Sequence, residues 1–407
     1  MVLSPAPTTH RSASADRLGA GPAAEIEALR AAGVDVARID LPPRYGLTAE
    51  VQERVDLAIH ERAGTPGFVE WLFDATVHPA GAAWHGVAKR AVALHTLYHV
   101  GDLDRPAEGI DGAVVDEPLF ERGSVSARDL IRRERPGVRG ERILERYDRF
   151  LAAGSMTDRA DEYGLTSRDY LTGVADAHAV RSRGQVAAAL LHEHFLGSRH
   201  PLRLMSIACG AAGPLLDYTR EAAADGVEVG ELLVVDHDPL ALASTLSLAR
   251  GAGLGDRVTL LRKNLLKTPP ITYLDAQVDL VDLVGVFEHL PSGKLGYRIA
   301  SQVLAGAAEV VRPGGLILLG NMLMERPQQR FFDSVWPRLQ QRTMRQVLAL
   351  ALEAGIGPEF VKVRVPARDG IYALYAMTVP WKRRRSVRER PVQRALGRAV
   401  LARSPEF

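Results

Sequence analysis

The sequence predicts an α/β protein: a mostly parallel sheet that ends in a C-terminal antiparallel hairpin, preceded by a mainly helical N-terminal domain. Three observations predict it. From Ser198 onward short β-rich runs alternate with helical ones, the texture of crossover units around a parallel sheet. Near the end, two strand-like runs are joined by Pro366-Ala-Arg-Asp-Gly370, a hairpin signal. Between Ile26 and Gly197 the apolar residues recur mostly at three- and four-residue spacings.

Residues 1–24, rich in Ala, Ser, Pro and Thr, read as a disordered leader. Residues 25–197 form the helical segment, with amphipathic stretches led by Val51, Val55 and Ile59, then Trp84–Tyr98, Leu130–Leu151 and Gln185–Phe195. Gly101–Pro118 is its most prominent loop. Residues 198–380 carry the sheet. Strands are expected at Leu202–Ile207, Leu232–Val235, Val258–Leu261, Val278–Val284, Leu316–Leu319, Phe360–Val365 and Tyr372–Val379, with helices at Leu215–Asp225, Leu240–Arg250 and Leu295–Val311. Asn264–Gln277 reads mainly as loop. Residues 381–407 are a basic tail with a weak amphipathic pattern, read as solvated.

Composition narrows the function. At 407 residues the chain is long enough for two or three domains. The formal net charge of +2 is misleading: residues 381–407 hold nine Lys/Arg and two Glu, so 42 basic against 47 acidic residues leave the body at −5. A mildly acidic body with no recognisable RNA or base-flipping motif argues against a nucleic-acid partner. The single cysteine, Cys209, excludes a disulfide framework and a cysteine-built metal centre. His95 and His99 share a helix face at i, i+4, and His192 and His194 lie two apart. Neither pair has the further ligands of a metal site, and no metal is expected. No run of about 18 apolar residues occurs, and residues 1–20 lack the apolar core of a secretory signal, so a cytoplasmic protein is expected.

The strongest local signal is Leu204-Met-Ser-Ile-Ala-Cys-Gly-Ala-Ala-Gly213. An apolar strand runs into small residues and then a helix. Without bulk at Ala208, Cys209, Gly210 and Gly213 the main chain can touch a ligand; tight helix–sheet packing would also use such a turn. The next strand ends in Asp236-His237, where a carboxylate is placed to accept hydrogen bonds from ribose hydroxyls. Ala208-x-Gly210-x-x-Gly213 is nearly the dinucleotide fingerprint, so a nicotinamide enzyme is a competing reading. Against it stand the lack of a second α/β half, the fourth strand's exit through Gly285-Val-Phe-Glu-His-Leu-Pro291, and the Arg312-Pro-Gly-Gly315 turn before the fifth.

With these residues the segment from Leu202 to Val379 resembles the class I S-adenosylmethionine-dependent methyltransferases, of the bacterial small-molecule type. The resemblance implies a Rossmann-like fold and S-adenosyl-L-methionine as cofactor. It implies that the turn from Ser206 through Ala208, Cys209 and Gly210 to Gly213 lines the methionine and ribose side, and that Asp236 holds the ribose hydroxyls with His237 beside the adenine. Asn264 and Leu265 would flank the adenine edge, and Val286 and Phe287 would wall the sulfonium end. Two positions depart from the family pattern: Ser206 and Asn264 stand where members usually carry acids.

Transfer of a methyl group from a sulfonium needs orientation, and a base only when the acceptor carries a proton of high pKa. His289, after the fourth strand, is the candidate base, and Glu288 could orient it. Tyr170, Arg181 and Asn321 are the candidate substrate contacts. The expected function is methyl transfer to a small molecule, a secondary metabolite or fatty-acid derivative. The alternatives are a cofactor-binding but inactive partner, motivated by Ser206 and Asn264, and a nicotinamide-dependent dehydrogenase. A homodimer is compatible with the long helical segment.

Overall fold

The structure, a computed structural model, describes residues 20–41, 48–62, 106–107, 125–126, 137–138, 141, 175–208, 212–237, 239–265, 276–291, 293–324, 339–367 and 370–381. The helical readings at Trp84–Tyr98 and, almost entirely, Leu130–Leu151 lie outside these residues, as does the tail beyond Trp381.

Its centre is an eight-stranded sheet. The strands are β1 (Asp35–Ile39), β4 (Leu202–Ile207), β5 (Val229–Asp236), β6 (Val258–Arg262), β7 (Val278–Leu283), β8 (Val311–Met322), β9 (Val361–Pro366) and β10 (Tyr372–Thr378), and a separate two-residue ladder joins β2 (Pro106–Ala107) to β3 (Val125–Ser126). The order across the sheet is β1-β9-β10-β8-β7-β4-β5-β6. All neighbours are parallel except β10, which runs antiparallel between β8 and β9. Counting from β4, the first five sheet strands run 3-2-1-4-5, the doubly wound pattern, with its switch point between β4 and β7. The fold is Rossmann-like.

Two apolar layers cover the sheet. On one face Leu202, Leu204, Leu232, Val234, Leu280, Leu316 and Leu318 pack under helices α3 (Ala175–Phe195), α4 (Gly213–Ala222) and α5 (Pro239–Gly251). On the other, Met205, Val281, Leu283, Ile317 and Leu319 pack under α1 (Ala20–Ala31), α6 (Gly293–Val310) and α7 (Met344–Glu353). The central strands are buried on both faces, and this is why they read as continuous Val/Leu/Ile runs. Helix α2 (Ala49–Arg62) covers the first of the predicted amphipathic stretches.

Three elements differ from expectation. Helix α1 begins at Ala20, so residues 20–24 of the segment read as a disordered leader are helical. Asp35–Ile39, inside the segment read as helical, is an edge strand that pairs in parallel with β9. Its alternation is short and half polar, and the pairing, reinforced by Arg364 Nη1 and Nη2 donating to the Asp35 carboxylate at 2.8 and 3.0 Å, is decided by a partner more than 300 residues away. Helix α7 did not stand out in the sequence, although its start carries a capping box: Thr343 Oγ1 accepts from the Gln346 amide while the Gln346 side chain accepts from the Thr343 amide.

The Arg312-Pro-Gly-Gly315 turn lies at the amino end of β8, opposite the ligand edge. Arg312 meets Asp279 there, and a Cβ on Gly315 would sit 2.6 Å from the Asp279 carbonyl oxygen. This turn is a packing device.

Candidate ligand site at the switch point

Along the α3/α4/α5 face, three adjacent strands end their apolar row in a polar side chain. β4 runs Leu202, Leu204, Ser206; β5 runs Leu232, Val234, Asp236; β7 runs Leu280, Asp282. Register puts Ser206 beside Val234 and beside Asp282, so all three polar groups share one face at the carboxyl edge of the sheet. In doubly wound sheets ligands bind in this crevice.

The main chain leaving β4 is bent in the manner expected of a close-approach turn. Ala208 (φ 51°) and Ala212 (φ 49°) both adopt left-handed conformations, each at a cost of roughly 1–2 kcal/mol for an L-residue with a Cβ. Such strain persists only where the surroundings enforce it, and it gathers at binding sites. Cys209 and Gly210, the middle of the predicted turn, lie outside the described residues. Gly213 is the first residue of α4, with Ala212 as its N-cap. The Ala208 amide donates to the Val235 carbonyl at 2.7 Å. That bond fixes the turn one residue from Asp236, so the bend and the acid are brought together as the sequence requires.

Asp236 is buried, with the His237 Nδ1 3.2 Å from its Oδ1. The Arg262 Nε donates to the His237 carbonyl at 3.2 Å, and the Lys263 amide donates to the Asp236 carbonyl at 3.0 Å. The second bond leads Asn264 and Leu265 past the same corner; Leu265 packs against the apolar cluster of the opposite face.

Helix α3 packs against α4 and over β8, β9 and β10, on the face that carries the polar row. It begins ten residues earlier than the Gln185–Phe195 pattern suggested, because polar residues share its first turns. A Cβ on Gly184 would meet Pro214 Cγ at 3.2 Å, so the missing side chain lets α3 lie against the start of α4. Arg181 is buried in α3. The neighbouring Arg183 makes the contacts that tie the site together: its Nη1 donates to Glu288 Oε1 at 2.6 Å, and its guanidinium lies 4.6 Å from the centre of the Tyr372 ring. Tyr372 Oη donates to the same Glu288 oxygen at 3.0 Å. Gly285 (φ 90°) gives the guanidinium room, since a Cβ there would meet Arg183 Nη2 at 3.0 Å.

The segment after β7 therefore folds inward. Phe287–His289 is a single 3-10 turn in which Phe287 and Glu288 are buried and His289 is exposed. Glu288 is turned toward Arg183 and Tyr372, and its Oε2 has no hydrogen-bond partner among the described residues. Val286 and Phe287 pack into the α6/α7 layer, and the Phe287 carbonyl accepts from Arg342 Nη1 at 2.6 Å. Asn321 is fully buried, on the sheet face opposite Asp236 and Asp282, with its Nδ2 donating to the Arg342 carbonyl at 2.7 Å. The structure does not bring Asn321 to the polar row. Tyr170 lies outside the described residues.

Sequence reading missed Asp282. Its Oδ2 accepts from Ser206 Oγ and its Oδ1 from the Val284 amide, both at 2.9 Å. Burial pushes its carboxyl up to about 6, against the lowering pull of these two bonds and of the Arg183 charge. The signal was available, since an Asp inside Val278-Asp-Leu-Val-Asp-Leu283 breaks an otherwise apolar face. Arg183 and Tyr372 were missed because their meeting with Glu288 joins three distant parts of the chain. Among the described residues no group of three or more His, Cys, Asp or Glu could hold a metal ion.

No protein-family model matches the chain, and no curated protein matches it. Solved structures do. An O-methyltransferase family protein from Burkholderia thailandensis is 18% identical, covering 82% of this chain and 99% of its own at a TM-score of 0.42. A Bordetella parapertussis protein described as a possible exported protein is 19% identical over 62% of this chain and 93% of its own, TM-score 0.42. The N-methyltransferase NodS from Bradyrhizobium japonicum, in complex with S-adenosyl-L-homocysteine, is 13% identical over 48% of this chain and 87% of its own, TM-score 0.34. Likenesses this shallow carry no argument. The sheet order and the residues at its crevice do.

Proposed function

We propose that the chain is a S-adenosyl-L-methionine-dependent methyltransferase acting on a small-molecule acceptor, a secondary metabolite or fatty-acid derivative. The observation that carries this reading is the strained, small-residue turn at the exit of β4 locked one residue from a buried carboxylate on β5, at the switch point of a doubly wound sheet. The donor set fits an adenosyl amino acid: bare main chain for close approach, Asp236 for two ribose hydroxyls, and the 263–265 corner for the base. No helix among the described residues is long and apolar enough to cross a membrane; a cytoplasmic setting goes with this reading.

The cofactor supplies an electrophilic methyl group on a sulfonium. The chain's own residues bind, orient and exclude water. Asp236 accepts from the sugar hydroxyls, and His237 beside it limits where the base can lie. Asn264 meets the base through its amide, which both donates and accepts. Arg183, Glu288 and Tyr372 hold the turn that carries His289, so Glu288 acts on the geometry of the turn. His289, exposed at the same sheet edge, takes the proton when the acceptor is an alcohol or phenol.

Calorimetric titration of the full chain tests this directly. Micromolar binding of S-adenosyl-L-homocysteine, lost by tenfold or more in Asp236→Asn, with no binding of NADH, is the expected result. Binding of NADH in preference to the adenosyl ligand would establish the dehydrogenase alternative. Cofactor binding without production of S-adenosyl-L-homocysteine across a broad acceptor panel would favour the inactive partner, the reading that Ser206 and Asn264 motivate.

A further inference from the structure

Asp282 is costly where it stands. It is a carboxylate on the apolar face of two central strands, and its hydrogen-bond partners among the described residues are one hydroxyl and one amide. No basic side chain among the described residues pairs with it; Arg183 of α3 acts on it only through space while bonding directly to Glu288. Asp236 shares the face two strands away and adds negative charge, while the basic residues of that face, Arg262 on β6 and Lys362 and Arg364 on β9, are engaged elsewhere, with the His237 carbonyl, Glu193 and Asp35. Ser206 points its proton at Asp282, so the hydroxyl orients the carboxylate without neutralising it. A buried charge of this kind calls for a cation that is not in the chain.

The position says which cation. Neighbouring strands lie about 4.8 Å apart, so the step from β5 over β4 to β7 is roughly 10 Å. A nucleoside bearing a short amino-acid arm can reach across that distance. With its sugar on Asp236 and its sulfur over the bare turn at Ala208, its far end arrives at β7.

We propose that Asp282 receives the α-ammonium group of the ligand's amino-acid arm, with Ser206 orienting the carboxylate. The inference rests on the adenosyl-binding reading above. It makes Ser206 a positioning residue, and it makes the absence of an acid on β4 a relocation of the charge to the adjacent strand.

The test compares two nucleoside thioethers by calorimetry on the full chain: S-adenosyl-L-homocysteine, which has the amino-acid arm, and 5′-methylthioadenosine, which lacks it. Wild type is expected to bind both. In Asp282→Asn the first should weaken tenfold or more while the second stays within twofold. Ser206→Ala should weaken the first about threefold and leave the second unchanged, and this variant decides the matter if Asp282→Asn does not fold. Equal losses for both ligands, or no loss for the arm-bearing one, would overturn the proposal. Wild type binding neither ligand would overturn the adenosyl reading itself, and the proposal with it.

Discussion

Replacing Asp282 by Asn should make the unliganded protein more stable, in a way that depends on pH. Burial moves the carboxyl from 3.8 to about 6. At about 1.4 kcal/mol per unit, ionising it inside the fold costs the native state about 3 kcal/mol at pH 8. An acid with a raised folded pKa keeps its proton longer when folded. The native state is therefore relatively favoured at low pH and loses that advantage as pH rises from about 4 through about 6. The amide removes the cost and keeps the shape. Its oxygen still accepts from the Val284 amide, and its NH2 faces Ser206 Oγ, which can rotate to accept. Thermal melts of wild type and variant at pH 8, 5 and 4, without ligand, read the effect. The variant should gain about 3 kcal/mol at pH 8, about half as much at pH 5 and little at pH 4. At ~2–4 °C per kcal/mol for a domain of this size, that is several degrees at pH 8. A variant equally destabilised at all three pH values would refute the reasoning, since the carboxylate would then be a net structural bond.

Other perturbations separate packing from binding. Arg183→Met leaves the buried Glu288 without its cation and should cost about 3 kcal/mol in chemical denaturation, with Tyr372→Phe costing about 1 kcal/mol through loss of one hydrogen bond to the same oxygen. Gly315→Ala forces a Cβ to within 2.6 Å of the Asp279 carbonyl and 2.7 Å of Val311 Cγ1. It should lower stability by about 1–3 kcal/mol while the folded fraction binds S-adenosyl-L-homocysteine normally. His289→Ala should leave cofactor affinity within twofold and lower kcat on an alcohol or phenol acceptor by about 100-fold, with little change on a carboxylate acceptor; a lost cofactor affinity would show that the ring holds the ligand.

Much of the sheet could be read in advance because its information is local. Each central strand is apolar on both faces and bounded by a helix of the right period, so β4 to β10 and helices α4 to α6 follow from runs of residues such as Leu202–Ile207 and Val278–Leu283. Asp236 and the small residues from Ala208 are legible for the same reason: a strand exit must stand at a fixed distance from the next one, and chemistry there needs a particular residue type. The edge strand at Asp35–Ile39 was not legible, because its only reason to be extended is β9, far along the chain.

The inner side of the site was decided by tertiary structure alone. The sequence places Glu288 next to His289 and suggests a pair; the fold turns Glu288 inward to Arg183 and Tyr372 and leaves His289 outside. It places Ser206 where a charge is expected; the register between β4 and β7 sets Asp282 beside it. Composition and period fix which residues seek burial and which face of an element they occupy. They say nothing of which distant polar groups will share a low-dielectric space, and in that space a single hydrogen bond or an unpaired charge is worth enough to set what the crevice binds.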